Sequence, residues 1–194
     1  MAAVLSPSFA MASLMAAGAV GCFLLGGLIY GVSGQAFAFA LLACIALVLM
    51  EIDRRWLILP DVLVALLGLV ALAASLWAPL YPEHRLLAGA LGGLVASSML
   101  AAVRWAYQLL RHREGMGLGD VKLAFAGGAL AGPAGVPAMI LVAACATLAL
   151  AGWSASRENL AVRRLAFGPG LCLGMLVVAV GRHYGFDPLS LAWE

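Results

Sequence analysis

The stretch AFAFALLACIALVLMEIDRRWLILPD, residues 36–61, decides the fold. It opens with an apolar run which, as a helix rising about 1.5 Å per residue, reaches most of the way across a bilayer. The run closes on Glu51 and Asp53, two arginines follow, and Pro60 with Asp61 opens the next apolar run. Apolar blocks and short polar breaks alternate in this way along the whole chain. Of its 194 residues 65% are hydrophobic and 10% charged, and the mean hydropathy is +1.07. A soluble domain carries about 25% charged residues, so a soluble enzyme, a nucleic-acid-binding domain and a disordered segment are excluded. A formal net charge of +2 leaves no polybasic footprint, and no nucleic-acid partner is expected. The composition points to an all-α polytopic membrane protein in contact with membrane lipid.

Seven segments are predicted to cross the membrane, near residues 9–31, 35–52, 60–78, 85–108, 119–132, 136–153 and 166–182. The breaks carry ordinary punctuation: Gly31 to Gly34, Pro60, Pro79 with Pro82, Gly115 to Gly119, Gly132 with Pro133, and Ser154 to Arg164. No long linker interrupts them, so residues 1–194 read as one integral membrane domain. A cleaved signal peptide needs a basic segment before its apolar run. The first basic residue is Arg54, so the N-terminal run reads as a span. Arg54, Arg55, Arg111, Arg113, Arg157, Arg163 and Arg164 fall in three alternate loops, and the other side has only Arg85 and Arg182. The positive-inside rule places the three basic loops, and with them the N-terminus, in the cytoplasm. Glycine pairs four apart, Gly27/Gly31, Gly89/Gly93, Gly128/Gly132 and Gly170/Gly174, read as close helix contacts. Cys22, Cys44, Cys145 and Cys172 form no CxxC pair and read as small apolar residues, so no metal site is expected.

Ionisable groups at the centre of a membrane helix cost about 2.5–3.5 kcal/mol each on insertion scales. The acids within or at the ends of spans are Glu51, Asp53, Asp61 and Asp120. Asp53 ends the second span, and Asp120 begins the fifth inside Gly115-Met116-Gly117-Leu118-Gly119-Asp120-Val121-Lys122-Leu123. The topology puts both at one depth, on the cytoplasmic side. Two carboxylates that converge can share a proton and activate a water. The glycines before Asp120 leave a backbone free of side chains, beside which an extended peptide can lie.

Here the sequence resembles a known family. Gly117-Leu118-Gly119-Asp120 matches the GxGD signature of membrane aspartic proteases, and its extension through Lys122 and Leu123 looks like that of the type IV prepilin leader peptidases. Asp53-Arg54-Arg55 followed by Pro60-Asp61 is similar to the family's other half, and Phe167-Gly168-Pro169 to its third element. The resemblance covers roughly residues 40–180. It implies a bacterial inner-membrane peptidase, with Asp53 and Asp120 catalytic and Gly117, Gly119, Lys122, Pro60, Asp61, Gly168 and Pro169 in support. Residues 35–182 would be the peptidase core and residues 1–34 an extra N-terminal helix. The implied substrate is a prepilin or pseudopilin, with a short basic leader before an apolar helix, cut at the cytoplasmic face after a glycine. No cofactor is implied. Long members carry a cytoplasmic domain between the first two helices, often with paired cysteines binding zinc, and methylate the new N-terminus. Gly31 to Gly34 joins those helices directly here, so the resemblance implies a short, peptidase-only form, as in Flp-type pilus systems. The oligomeric state is left open.

Several residues admit two readings. Asp61 opens the third span after Pro60, or supports or rivals Asp53. Lys122 pairs with Asp120, or extends to the headgroups. Glu51 pairs with Arg54 or Arg55. A basic leader is repelled by Arg54, Arg55, Arg111 and Arg113, leaving Glu114 or the headgroups as its partners. Gly31-Val32-Ser33-Gly34 spells the GxSG of a serine intramembrane protease, but that chemistry needs a histidine at matching depth. His84 and His183 lie at helix ends and His112 on the other side. A transporter would set paired charges at mid-membrane, whereas these acids cluster at one interface.

Overall fold

The computed structural model describes residues 18, 20, 21, 24, 26–29, 31, 34–56, 59–76, 84–112, 115–155 and 167–184. Its elements are α1 (Gly34–Trp56), α2 (Asp61–Ser75), α3 (Arg85–Arg111), α4 (Leu118–Ala155) and α5 (Gly168–His183), and the described residues among 18–29 are helical as well. Among the described residues there is no strand. Among the described residues, three stretches are long and apolar enough to cross a membrane: Gly34–Asp53, Arg85–Arg111 and Leu118–Gly152. The expected span at 60–78 is shorter than read, since α2 ends at Ser75, and the first expected span lies mostly outside the described residues.

The expected spans 119–132 and 136–153 are joined without a loop. They meet at Gly132, whose φ of 65° and ψ of 169° leave the helical region. That backbone conformation is open essentially to glycine alone, and Pro133 restarts the helix with its φ already set. The break is a reversal. In a straight helix Gly127 and Met139 would be about 18 Å apart, yet a Cβ on Gly127 would lie 2.6 Å from Met139 Sδ. Residues 118–131 and 133–155 therefore run back along each other. Both members of the Gly128/Gly132 pair pack against α3 as read, since a Cβ on Gly92 would also stand 2.8 Å from Gly132 Cα, and Gly132 makes the turn as well.

Small residues set how closely the helices approach. A Cβ on Gly92 of α3 would strike the Gly128 carbonyl oxygen of α4, and the reverse holds too. On α5, Gly174 abuts the Met139 carbonyl oxygen of α4 at 2.6 Å from its would-be Cβ, and Gly170 abuts Thr147. Gly31 lies outside the described helices at φ 67°, and a Cβ on it or on Gly27 would meet nothing within 4 Å among the described residues. The core is aliphatic, with Leu42, Leu49, Leu67, Val136, Met139, Cys172 and Met175 fully buried. At the end remote from the motifs, the Arg85 guanidinium donates to the Leu76 carbonyl oxygen at 2.6 Å. The C-terminus of α2 is thereby closed by a cation.

Candidate active site

Helical period carries the two acids inward. On α1 the buried stripe Leu42, Ala46, Leu49 continues, at spacings of four, three and four, to Asp53. On α4 the same spacing runs from Asp120 through Ala124 and Gly127 to Ala131. Asp53 is 4% exposed and Asp120 7% exposed. Both stand at one end of the bundle, where α1 ends and α2, α4 and α5 begin.

Each carboxylate meets the start of a helix. The Gly168 N–H, in the first turn of α5, is directed at the Asp53 carboxylate. A Cβ on Gly168 would stand 2.5 Å from Asp53 Oδ2, so only glycine admits the carboxylate here. Asp120 lies in the first turn of α4, and its carboxylate accepts the N–H of Gly117, the residue before the helix. That is the reach-back half of a capping box. Helix N-termini present unpaired N–H groups and positive potential to an anion. Asp53 Oδ2 and Asp120 Oδ1 are nonetheless buried with no hydrogen-bond partner among the described residues. The charge of Asp53 is close enough to act on Asp120. Two buried, mutually interacting carboxyl groups, each with an oxygen unused by the protein, are the arrangement that holds and polarises a water.

The supporting residues divide. Leu59 Cβ lies 3.0 Å from where a Cβ on Gly119 would stand, so Gly119 lets Leu59, just before α2, pack against the start of α4. Pro60 precedes α2 with φ −67°, and its carbonyl accepts the first bond of the helix from Val64 N–H at 3.1 Å. Pro169 follows Gly168 in the first turn of α5, where its missing N–H costs nothing. Gly115, Gly117 and Leu118 are exposed, which leaves this backbone accessible beside Asp120.

Lys122 does not pair with Asp120. Its Nζ donates to Asp61 Oδ1 at 2.7 Å, on the exposed face of the bundle. Asp61 is the first residue of α2, 72% exposed, and its carboxylate pairs with Lys122, unlike the buried Asp53 and Asp120. Glu51 is half-buried, while the Arg54 and Arg55 side chains, Ser33, Arg113 and Glu114 lie outside the described residues. His84 and His112 are exposed.

One residue of the site escaped the sequence reading. Arg104 of α3 donates to the Met116 carbonyl oxygen, fastening the glycine-rich segment; a lone arginine late in an apolar helix was its signal. Cys172 is 1% exposed and packs in the aliphatic core, as its reading as a small apolar residue expects. Among the described residues no group of three or more His, Cys, Asp or Glu gathers as a metal site would require.

An all-helical, apolar bundle with a buried carboxylate pair at one end of its helices is thus the class that fold and site define. The type IV leader peptidase family matches residues 40–152, and the chain belongs to it. The prepilin leader peptidase/N-methyltransferase of Escherichia coli (strain K12) is 34% identical over 134 residues, covering 69% of this chain and 58% of the relative. That of Burkholderia pseudomallei (strain 1026b) is 33% identical over 147 residues, covering 75% and 47%. The leader peptidase HopD of Escherichia coli is 33% identical over 90 residues, covering 45% and 57%. The chain spans about half the length of the curated relatives it matches. No solved structure matches it.

Proposed function

We propose that this protein is a membrane aspartic endopeptidase that removes the basic leader of type IV prepilins or pseudopilins at the cytoplasmic face of a bacterial inner membrane. The observation that carries the proposal is the pair Asp53 and Asp120, buried together at one helix end, each with an oxygen unpartnered among the described residues. One carboxyl is ionised and the other protonated at working pH. The ionised group takes a proton from a water as that water adds to the scissile carbonyl carbon. The protonated group gives its proton to the carbonyl oxygen. Collapse of the tetrahedral adduct breaks the C–N bond, and the leaving amine takes up a proton. The pair titrates as a unit, so neither residue alone is the acid or the base. Gly117 and Gly119 admit the substrate backbone, Gly168 and Pro169 present α5 to Asp53, and Pro60 sets the start of α2.

The chain acts as a single membrane domain of seven crossings with a cytoplasmic N-terminus, residues 35–182 forming the peptidase core. The relatives named as N-methyltransferases carry as much sequence again beyond the match, and methyl transfer is not assigned to this chain.

The test is cleavage of a co-expressed prepilin, read by gel shift, for the parent, Asp53→Asn and Asp120→Asn. Loss of processing in both variants, with membrane insertion intact, is expected. Asp61→Asn removes a carboxylate at the same end without touching the pair and must retain cleavage well above either. Undiminished cleavage by both dyad variants would overturn the mechanism.

A further inference from the structure

An open groove of about 690 Å³ runs down the outside of the bundle between α2 and the first half of α4. Val64, Ala65, Gly68 and Leu69 line it from α2, and Val121 and Phe125 from α4. It begins at the Asp61–Lys122 pair and descends as far as Leu72. Eleven residues of helix separate Asp61 from Leu72, a run of about 16 Å or three turns. Its lining is otherwise apolar apart from Ser97.

Three features point to one occupant. The groove starts at the end of the bundle that holds the carboxylate pair, on its outer face: it opens at Asp61 and Lys122, in the first turns of α2 and α4, and Asp120 lies in that same first turn of α4. It then runs away from the pair along the helix axis, into the apolar zone. Ala65 and Gly68 are small, which lets a helix backbone approach closely in lipid. A peptide seated there has one end of an apolar helix at the site and the rest directed into the membrane. The bond brought to the dyad is then the one at the junction of a polar segment and that helix.

The mouth is chemically matched to such a junction. Asp61 is 72% exposed and Lys122 52%. A basic segment arriving there meets an exposed carboxylate that it can take over from Lys122, an acidic partner in addition to Glu114. We infer that this groove seats the first three turns of the substrate's apolar helix, with Asp61 receiving a basic residue of the leader. The inference rests on the prepilin peptidase reading and deepens it.

A photo-crosslinking residue at Leu69, which is 66% exposed on the groove wall, tests it in an Asp120→Asn background that leaves the substrate whole. The probe is full-length prepilin, co-expressed, and Val177 on α5, 53% exposed, is the control position. Capture of prepilin through its apolar helix from position 69 and not from 177 is the expected result. In the active parent, Ala65→Phe fills the groove from an exposed wall and should raise KM roughly tenfold with kcat little changed. Capture of lipid alone at 69, or equal capture at both positions, overturns the groove assignment while a cleaving parent leaves the peptidase reading standing. Unchanged KM in Ala65→Phe overturns it as well. A parent that cleaves no prepilin overturns both readings.

Discussion

Replacing Gly168 by alanine adds one methyl group at the point where α5 meets Asp53. That carbon would stand 2.5 Å from Asp53 Oδ2 and 3.0 Å from its Cγ. An unstrained carbon–oxygen contact needs about 3.4 Å or more, so the carboxylate or the helix start must move by roughly 0.9 Å. The far end of the clash is a short carboxylate packed at 4% exposure, not a flexible chain. Misplacement of a catalytic group by about 1 Å costs on the order of a hundredfold in rate, equivalent to about 2.7 kcal/mol of barrier. The expected result for Gly168→Ala is a kcat for prepilin cleavage about a hundredfold lower. KM should change little, since the methyl lies behind the carboxylate. Overpacking also lowers stability by about 1–3 kcal/mol, so insertion and thermal unfolding in detergent are measured on the same preparation. Gly152→Ala, which meets nothing within 4 Å, is the matched control. A Gly168→Ala protein that is folded and cleaves at the parent rate would refute the claim that α5 fixes Asp53.

Other consequences are equally direct. Gly132→Ala forces a side chain into backbone that only glycine adopts freely and should cost about 1–3 kcal/mol in unfolding free energy. Gly128→Val, aimed at the Gly92 carbonyl, should part α3 from α4 and lower the detergent unfolding temperature well beyond Gly152→Ala. Arg104→Met removes the donor to the Met116 carbonyl, a charged hydrogen bond of about 1.5–3 kcal/mol. Cleavage should fall roughly tenfold for a loss near 1.4 kcal/mol, and Arg104→Lys should recover part of it. The Asp61–Lys122 pair is exposed, so a double-mutant cycle on unfolding should give a coupling below about 1 kcal/mol.

Asp53 and Asp120 stood out in the sequence as acids at span ends, at one depth, with bare glycine backbone before Asp120. Their burial comes from the fold, where each continues an apolar stripe of its helix. The partner of Lys122 was less legible. Residues two apart on a helix lie about 200° apart around its axis and do not face each other, so proximity in sequence to Asp120 was misleading. Lys122 turns outward to a residue sixty-one positions away. The Gly132–Pro133 break was readable as a break, but its sharpness was not. A glycine that packs looks the same in sequence as one that packs and also turns, and Gly132 does both: it abuts Gly92 and reverses the chain so that Met139 folds back onto Gly127. Cys172 reads as a small apolar residue in the sequence and is one in the fold, buried among aliphatic side chains.

The reversal at Gly132 leaves the limb that carries Asp120 only fourteen residues long, about 21 Å. Its neighbour α2 has fifteen residues and α5 sixteen, about 22 and 24 Å. A bilayer's hydrocarbon layer is about 30 Å thick. The three helices that begin at the carboxylate pair are thus shorter than the medium they stand in, while α3 and residues 133–155 are long enough to span it. In a bilayer, hydrophobic mismatch at helices this short draws the surrounding lipid thin or brings water down to their ends. Such thinning lowers the membrane surface toward Asp53 and Asp120, and a bilayer of shorter acyl chains is the solvent that fits these three helices best.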